Sequence, residues 1–246
     1  MSEDPVHIPV FVLTGFLGSG KTTLLARLLD DPSLSDMAVL INEFGEVALD
    51  HHILERVDDS TVVLKSGCLC CTIKGELADA VRDLYSRRQQ GLVPNFRHLV
   101  IETTGLADPA PIISTFSADR VLQHHFRVAA TIATVDAING YETLIRHLES
   151  VKQVAVADWL AVTKSDICDT DRFEQTVAAV RSINPDAPLV ETAVGNFAIA
   201  QFLTERPEIT ASAFYCEPVN APPPTAEIHL YEVGSCSIRI DGDVDW

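Results

Sequence analysis

The stretch that most constrains this chain is Gly15-Phe16-Leu17-Gly18-Ser19-Gly20-Lys21-Thr22, directly after the apolar run Val10-Phe11-Val12-Leu13. The pattern G-x-x-x-x-G-K-T requires a strand before it and a helix after it, and the flanking residues supply both. Its glycines let successive backbone N–H groups turn inward toward a chain of phosphates. Lys21 can then reach the outer phosphates, while the Thr22 hydroxyl can ligate Mg²⁺. Gly15, Gly18, Ser19, Gly20, Lys21, Thr22 and the neighbouring Thr23 are the expected phosphate-binding residues.

Six more apolar, β-branched runs follow, at residues 37–41, 61–64, 98–101, 128–135, 159–162 and 189–190. Most are continuous rather than alternating, as strands buried on both faces of a parallel sheet should be. Helical patterns separate several of them. Residues 22–30 open at the phosphate loop; residues 76–88 align Leu77, Ala80, Val81 and Leu84. Residues 171–182 align Phe173, Val177 and Val180 before Asn184-Pro185. The alternation predicts an α/β fold, a doubly wound and mostly parallel P-loop sheet with helices on both faces. One such domain is expected over residues 6–215, then a stiff Pro-rich linker over 216–226. Residues 227–246 hold two strand-like pieces, which read as the start of a truncated second domain.

In sheets of this kind ligands sit at the carboxyl ends of the strands, so the segments that follow each strand are the informative ones. The fourth run leads into Glu102-Thr103-Thr104-Gly105. Here a carboxylate can serve Mg²⁺ directly or through water, and Gly105 can offer its N–H to a terminal phosphate. The sixth run leads into Thr163-Lys164-Ser165-Asp166, which resembles the N-K-x-D guanine reader with Thr163 in place of Asn. The carboxylate of Asp166 would accept from the ring N–H and amine of guanine, donors that adenine lacks. These residues, with the phosphate loop, point to GTP or GDP as the ligand.

The chain carries 35 acidic and 18 basic side chains, a formal charge of −17. Such a surface repels nucleic acid and anionic membrane, leaving small ligands, cations and proteins as expected partners. No signal-like leader or bilayer-length apolar run appears, so a soluble, cytoplasmic protein is expected. In a reducing compartment the cluster Cys68-Leu69-Cys70-Cys71 suggests metal or redox chemistry rather than a disulfide. Cys68, Cys70 and Cys71 can converge on a soft or borderline cation such as Zn²⁺. Glu46, in the acidic segment after the second run, is the favoured completing ligand. His51 and His52 read as exposed loop histidines.

Taken together, residues 15–22, Asn42-Glu43-Phe44-Gly45-Glu46, Gly67-Cys68-Leu69-Cys70-Cys71, Glu102–Gly105 with Ala107-Asp108-Pro109, and Thr163–Asp166 resemble the CobW-type metallochaperone GTPases. That family includes zinc chaperones, cobalt chaperones and nitrile-hydratase activators. The resemblance implies a GTPase that holds Zn²⁺, or another transition metal such as Co²⁺, on its cysteine motif. Transfer to a metal-requiring client protein would follow the nucleotide state, and a homodimer is admitted. Two departures stand out: little of the family's C-terminal domain is here, and there is no histidine-rich tract.

The expected cycle has Thr22 and Glu102 serving Mg²⁺ while GTP orders residues 42–50 and 67–72 around the metal. No glutamine is placed to orient the attacking water, so slow turnover is expected, with Glu46 and Asp50 as the carboxylates to test. An ATP-dependent small-molecule kinase and a thiol redox sensor are the competing readings. The first predicts ATP preference, the second a reversible disulfide without stoichiometric metal.

Overall fold

The computed structural model describes residues 7–34, 36–42, 62–66, 74–192 and 201–204. Along them run β1 (Ile8–Gly15), α1 (Lys21–Leu29), β2 (Met37–Asn42), β3 (Val62–Ser66), α2 (Lys74–Gln89) and β4 (His98–Glu102). Then come α3 (Ala110–Ala118), α4 (Arg120–His125), β5 (Phe126–Asp136), α5 (Gly140–Arg146) and α6 (Leu148–Ala155). The described chain ends with β6 (Trp159–Thr163), a 3₁₀ turn (Ser165–Ile167), α7 (Thr170–Ile183), β7 (Leu189–Glu191) and α8 (Gln201–Thr204).

All seven apolar runs are strands. They form one parallel sheet in the order β3-β2-β4-β1-β5-β6-β7. The chain builds outward from β1 on one side, returns to β4 beside it, then crosses to β5 and builds outward on the other. β1 therefore lies where the winding reverses, the place where such sheets open a ligand crevice at their carboxyl edge. Register fixes what meets there: Leu13 is level with Glu102 of β4, and Gly15 is level with Thr134 of β5.

Both faces of the central strands are buried, which is why their sequences run apolar without alternation. Val10 and Val12 join Leu77, Val81 and Leu84 of α2 and Phe116 of α3 in one core. Phe11 and Leu13 face the other way, into a core with Leu24, Leu25 and Leu28 of α1 and Phe202 of α8. A third core joins Val135 to Leu144 of α5, Val151 and Val154 of α6, and Val180 and Ile183 of α7. Each such side chain contributes about 1.5–3 kcal/mol by leaving water.

In α7 the buried stripe is Thr176, Val180 and Ile183; Phe173 and Val177, expected on that stripe, are only half-buried. The reason is polar. The Thr176 hydroxyl donates to Ala137 O (3.0 Å) and accepts from Tyr141 N–H (3.3 Å), which pins α7 to the start of α5. Among the described residues no helix is long and apolar enough to cross a membrane. The expected linker and the strand-like pieces beyond it lie outside the described residues.

Candidate functional site

The turn after β1 is held in shape from several sides. Gly15 has φ +138°, and a Cβ there would meet Thr134 Oγ1 at 2.2 Å and Thr134 O at 2.5 Å, so only glycine fits. Ser19 Oγ shares a 2.6 Å hydrogen bond with Thr134 Oγ1, and Ser19 N–H donates to Phe16 O (3.1 Å). The loop then feeds α1, whose first residue, Lys21, is 8% exposed. Its ammonium donates to Gly15 O (2.8 Å) and Phe16 O (3.0 Å), inside the concavity that the loop encloses.

The sequence-distant members of the site arrive by strand register. Thr22 Oγ1 donates to Glu102 Oε1 across 3.0 Å, and Glu102 itself is 5% exposed. Gly105 lies against the phosphate loop: a Cβ on it would come within 2.6 Å of Leu17 N. From the other side, the Thr163 hydroxyl donates to Ser19 O (2.8 Å) and more weakly to Val135 O (3.3 Å). Lys164, at φ 59°, donates to Gly18 O (2.8 Å) and Asp136 Oδ2 (2.7 Å). A cleft of about 300 Å³ opens between Gly18, Lys21, Thr22, Glu102, Gly105 and Lys164.

The expected phosphate loop, Glu102, Gly105, Thr163 and Lys164 thus meet at one rim. Thr23 also lines the cleft, while Asp166 stands exposed on the 3₁₀ turn beyond it. Thr163, shorter than the Asn of the usual motif, ties β6 to the phosphate loop through its hydroxyl. Glu46, Asp50, His51, His52, Cys68, Cys70 and Cys71 lie outside the described residues. Among the described residues no three His, Cys, Asp or Glu side chains converge as metal ligands. Cys168 is half-buried, and burial pushes its thiol up, toward the protonated and unreactive form.

Two residues join the site without having been expected. Asp136 ends β5 beside the phosphate loop, where it binds Lys164, Asn139 Nδ2 (3.0 Å) and Ile138 N–H (2.8 Å). Burial alone would raise this carboxyl, but the hydrogen bonds from Lys164, Asn139 and Ile138 outweigh it and hold Asp136 below the usual carboxylate range. The signal was available: a carboxylate closing an apolar strand at the carboxyl edge of the sheet. Gln153 of α6, 1% exposed, donates to Gly105 O (3.2 Å) and Ala107 O (3.0 Å). No spacing in the sequence marks it.

Chemically, the rim offers the backbone N–H groups at the start of α1 and the Lys21 ammonium for anionic oxygens. Beside them it offers a hydroxyl–carboxylate pair, oxygen donors of the kind a hard divalent cation takes. Comparison with known proteins agrees with that inventory. Residues 9–191 match the model of the CobW/HypB/UreG nucleotide-binding domain. The chain is 38% identical over 179 residues to the zinc chaperone YjiA of Escherichia coli, covering 72% of this chain and 56% of that protein. It is 33% identical over 200 residues to the zinc-regulated GTPase metalloprotein activator 1 of Schizosaccharomyces pombe, covering 78% and 47%. The chain therefore spans about half the length of the curated relatives it matches. Among solved structures, Zn(II)-bound YjiA GTPase from E. coli superposes with TM-score 0.62 at 33% identity, over 78% of this chain and 59% of that one. HypB from Helicobacter pylori in complex with nickel shares the fold, at TM-score 0.54 and 18% identity over 76% and 79% of the two chains. By the family model and by identity to its members, this chain belongs to the CobW/HypB/UreG family.

Proposed function

We propose that this chain is a GTP-hydrolysing metallochaperone that carries a transition metal, zinc foremost, and passes it to a client protein according to nucleotide state. The observation that carries the nucleotide half is the 3.0 Å contact between Thr22 Oγ1 and Glu102 Oε1. It joins residues 80 positions apart at the floor of a cleft walled by the phosphate loop and Gly105. Mg²⁺ suits this oxygen pair and, when bound, neutralises phosphate charge. Lys21 exchanges its loop carbonyls for phosphate oxygens, and Gly105 N–H serves the terminal phosphate. Thr163 and Lys164 hold the loop from the side on which Asp166 would read guanine.

The metal half rests on the sequence Gly67-Cys68-Leu69-Cys70-Cys71 and on kinship with proteins named zinc chaperones. In this reading zinc is cargo, held by Cys68, Cys70 and Cys71 with Glu46 as the completing ligand. Binding the terminal phosphate orders residues 42–50 and 67–72 around it, and hydrolysis releases it. Linkage makes the coupling reciprocal: if GTP tightens zinc, zinc tightens GTP equally. Glu46 and Asp50 are the carboxylates proposed to position water, and intrinsic turnover is slow.

The test is a set of titrations on the full chain. GTP analogue should bind far more tightly than ATP, and Asp166→Ala should erase that preference. Zinc should bind more tightly with GTP analogue than with GDP, and a Cys70→Ala, Cys71→Ala double variant should lose tight zinc while keeping GTP. Equal zinc affinity in both nucleotide states would sink the coupling, and ATP preference would favour a kinase.

A further inference from the structure

The segment that follows β4, residues 103–108, is gripped from behind by two consecutive residues of α6. Gln153 Nε2 donates to the carbonyls of both Gly105 and Ala107, and Lys152 Nζ pairs with Asp108 Oδ2 at 3.0 Å. Two carbonyl acceptors demand the NH₂ end of the amide, so the orientation of Gln153 is chemically fixed. A glutamine this buried is uncommon, since an apolar side chain of like size would fill the same space without desolvating an amide. What the amide adds is direction, because it fixes where two backbone carbonyls point.

The same helix reaches the phosphate loop at its other end. His147, the residue before α6, stacks on Phe16 with ring centroids 4.4 Å apart, and Phe16 directly follows Gly15. Gly105 meanwhile leaves no room for a Cβ against Leu17. It is therefore clamped between the loop in front and Gln153 behind, with both contacts set by α6 and the strands.

We propose that Gln153, seconded by Lys152, is a positioning residue for hydrolysis: it holds the Gly105 backbone so that its N–H aims at the terminal phosphate. This rests on the functional reading above, in which Gly105 N–H serves that phosphate. GDP has no terminal phosphate, so the residue acts on triphosphate recognition and turnover, not on diphosphate binding.

The experiment compares the full chain with its Gln153→Met variant, which keeps side-chain length and removes the donor. The readouts are kcat and KM for GTP, and Kd for GDP and for a non-hydrolysable GTP analogue. Misaiming a reactive group by about 1 Å can cost on the order of 100-fold in rate. A kcat loss of roughly 10- to 100-fold is expected, with weaker analogue binding and GDP affinity essentially unchanged. Parallel losses for GDP and analogue would mark a merely structural role and overturn the proposal, as would an unchanged kcat. Should Gln153→Met not fold, Lys152→Met, at a half-exposed position, should lower kcat a few-fold and leave GDP binding intact; an unaltered kcat there overturns it too. Absence of GTP turnover in the unaltered chain would overturn the functional reading and this inference with it. GTP turnover in the unaltered chain with kcat unchanged in both variants would overturn the inference alone.

Discussion

Replacing Thr163 by valine tests how the phosphate loop is held. Valine matches threonine in shape, so the core around position 163 stays filled while the hydroxyl is lost. Ser19 O then loses a 2.8 Å donor and Val135 O a weaker one at 3.3 Å, in a place only 7% exposed, where water substitutes poorly. A neutral hydrogen bond contributes about 0.5–1.5 kcal/mol net, and an acceptor left buried and unpaired costs about 1–3 kcal/mol. The expected loss is therefore about 1–2 kcal/mol, which for a chain of this size lowers Tm by roughly 2–8 °C. Because the tether ends on the loop itself, nucleotide affinity should fall as well, to the extent that the loop must be held in shape to receive phosphates. Differential scanning calorimetry and titration with GDP measure the two effects, and Thr163→Ser, which keeps the hydroxyl, should stay near the unaltered chain. A Thr163→Val protein equal to the unaltered one in both Tm and GDP affinity would refute the tether.

Two further outcomes follow from the site. Gly105→Ala places a Cβ 2.6 Å from Leu17 N and 2.8 Å from its Cα, backbone atoms that cannot rotate away. It should cost about 1–3 kcal/mol in denaturant unfolding and lower GTP turnover by roughly tenfold or more. Asp136 has its folded pKa held below the ordinary value of 3.8, so its stabilisation is present above that pH and is lost as pH falls through the lower folded value. Asp136→Asn should therefore cost about 1–3 kcal/mol at neutral pH, and the gap to the unaltered chain should close below pH ~4; a gap constant down to pH ~2 would contradict this.

Much of the architecture could be read from residues because burial on both faces leaves a plain mark. Each of the seven apolar runs is a strand, and the phosphate loop, Glu102 and Gly105 follow from which strand ends they occupy. Helices α3 to α6 carried no such mark. α3 is spaced by Pro109 and Pro111, α4 is only six residues long, and α5 and α6 are broken at His147, whose backbone is extended. Asp136 escaped notice because the fifth run reads as ending at Val135, one residue short of the strand's true end. Gln153 was invisible for a deeper reason: its partners are carbonyls 46 and 48 residues away, and backbone acceptors have no side-chain signature. Thr163 looked like a weakened guanine motif, yet a hydroxyl suffices to reach Ser19 O.

The bonds of Lys21 have a consequence for what the loop will admit. Lys21 is largely buried, and its ammonium already engages two carbonyl dipoles. An incoming anion is thus compared with Gly15 O and Phe16 O, and it must outcompete both. A chloride or a single carboxylate offers one charge and poor geometry, whereas adjacent phosphate groups offer several charged oxygens at once. The loop's own carbonyls thus set what an anion must offer Lys21: several charged oxygens side by side, as adjacent phosphates carry, rather than one charge alone.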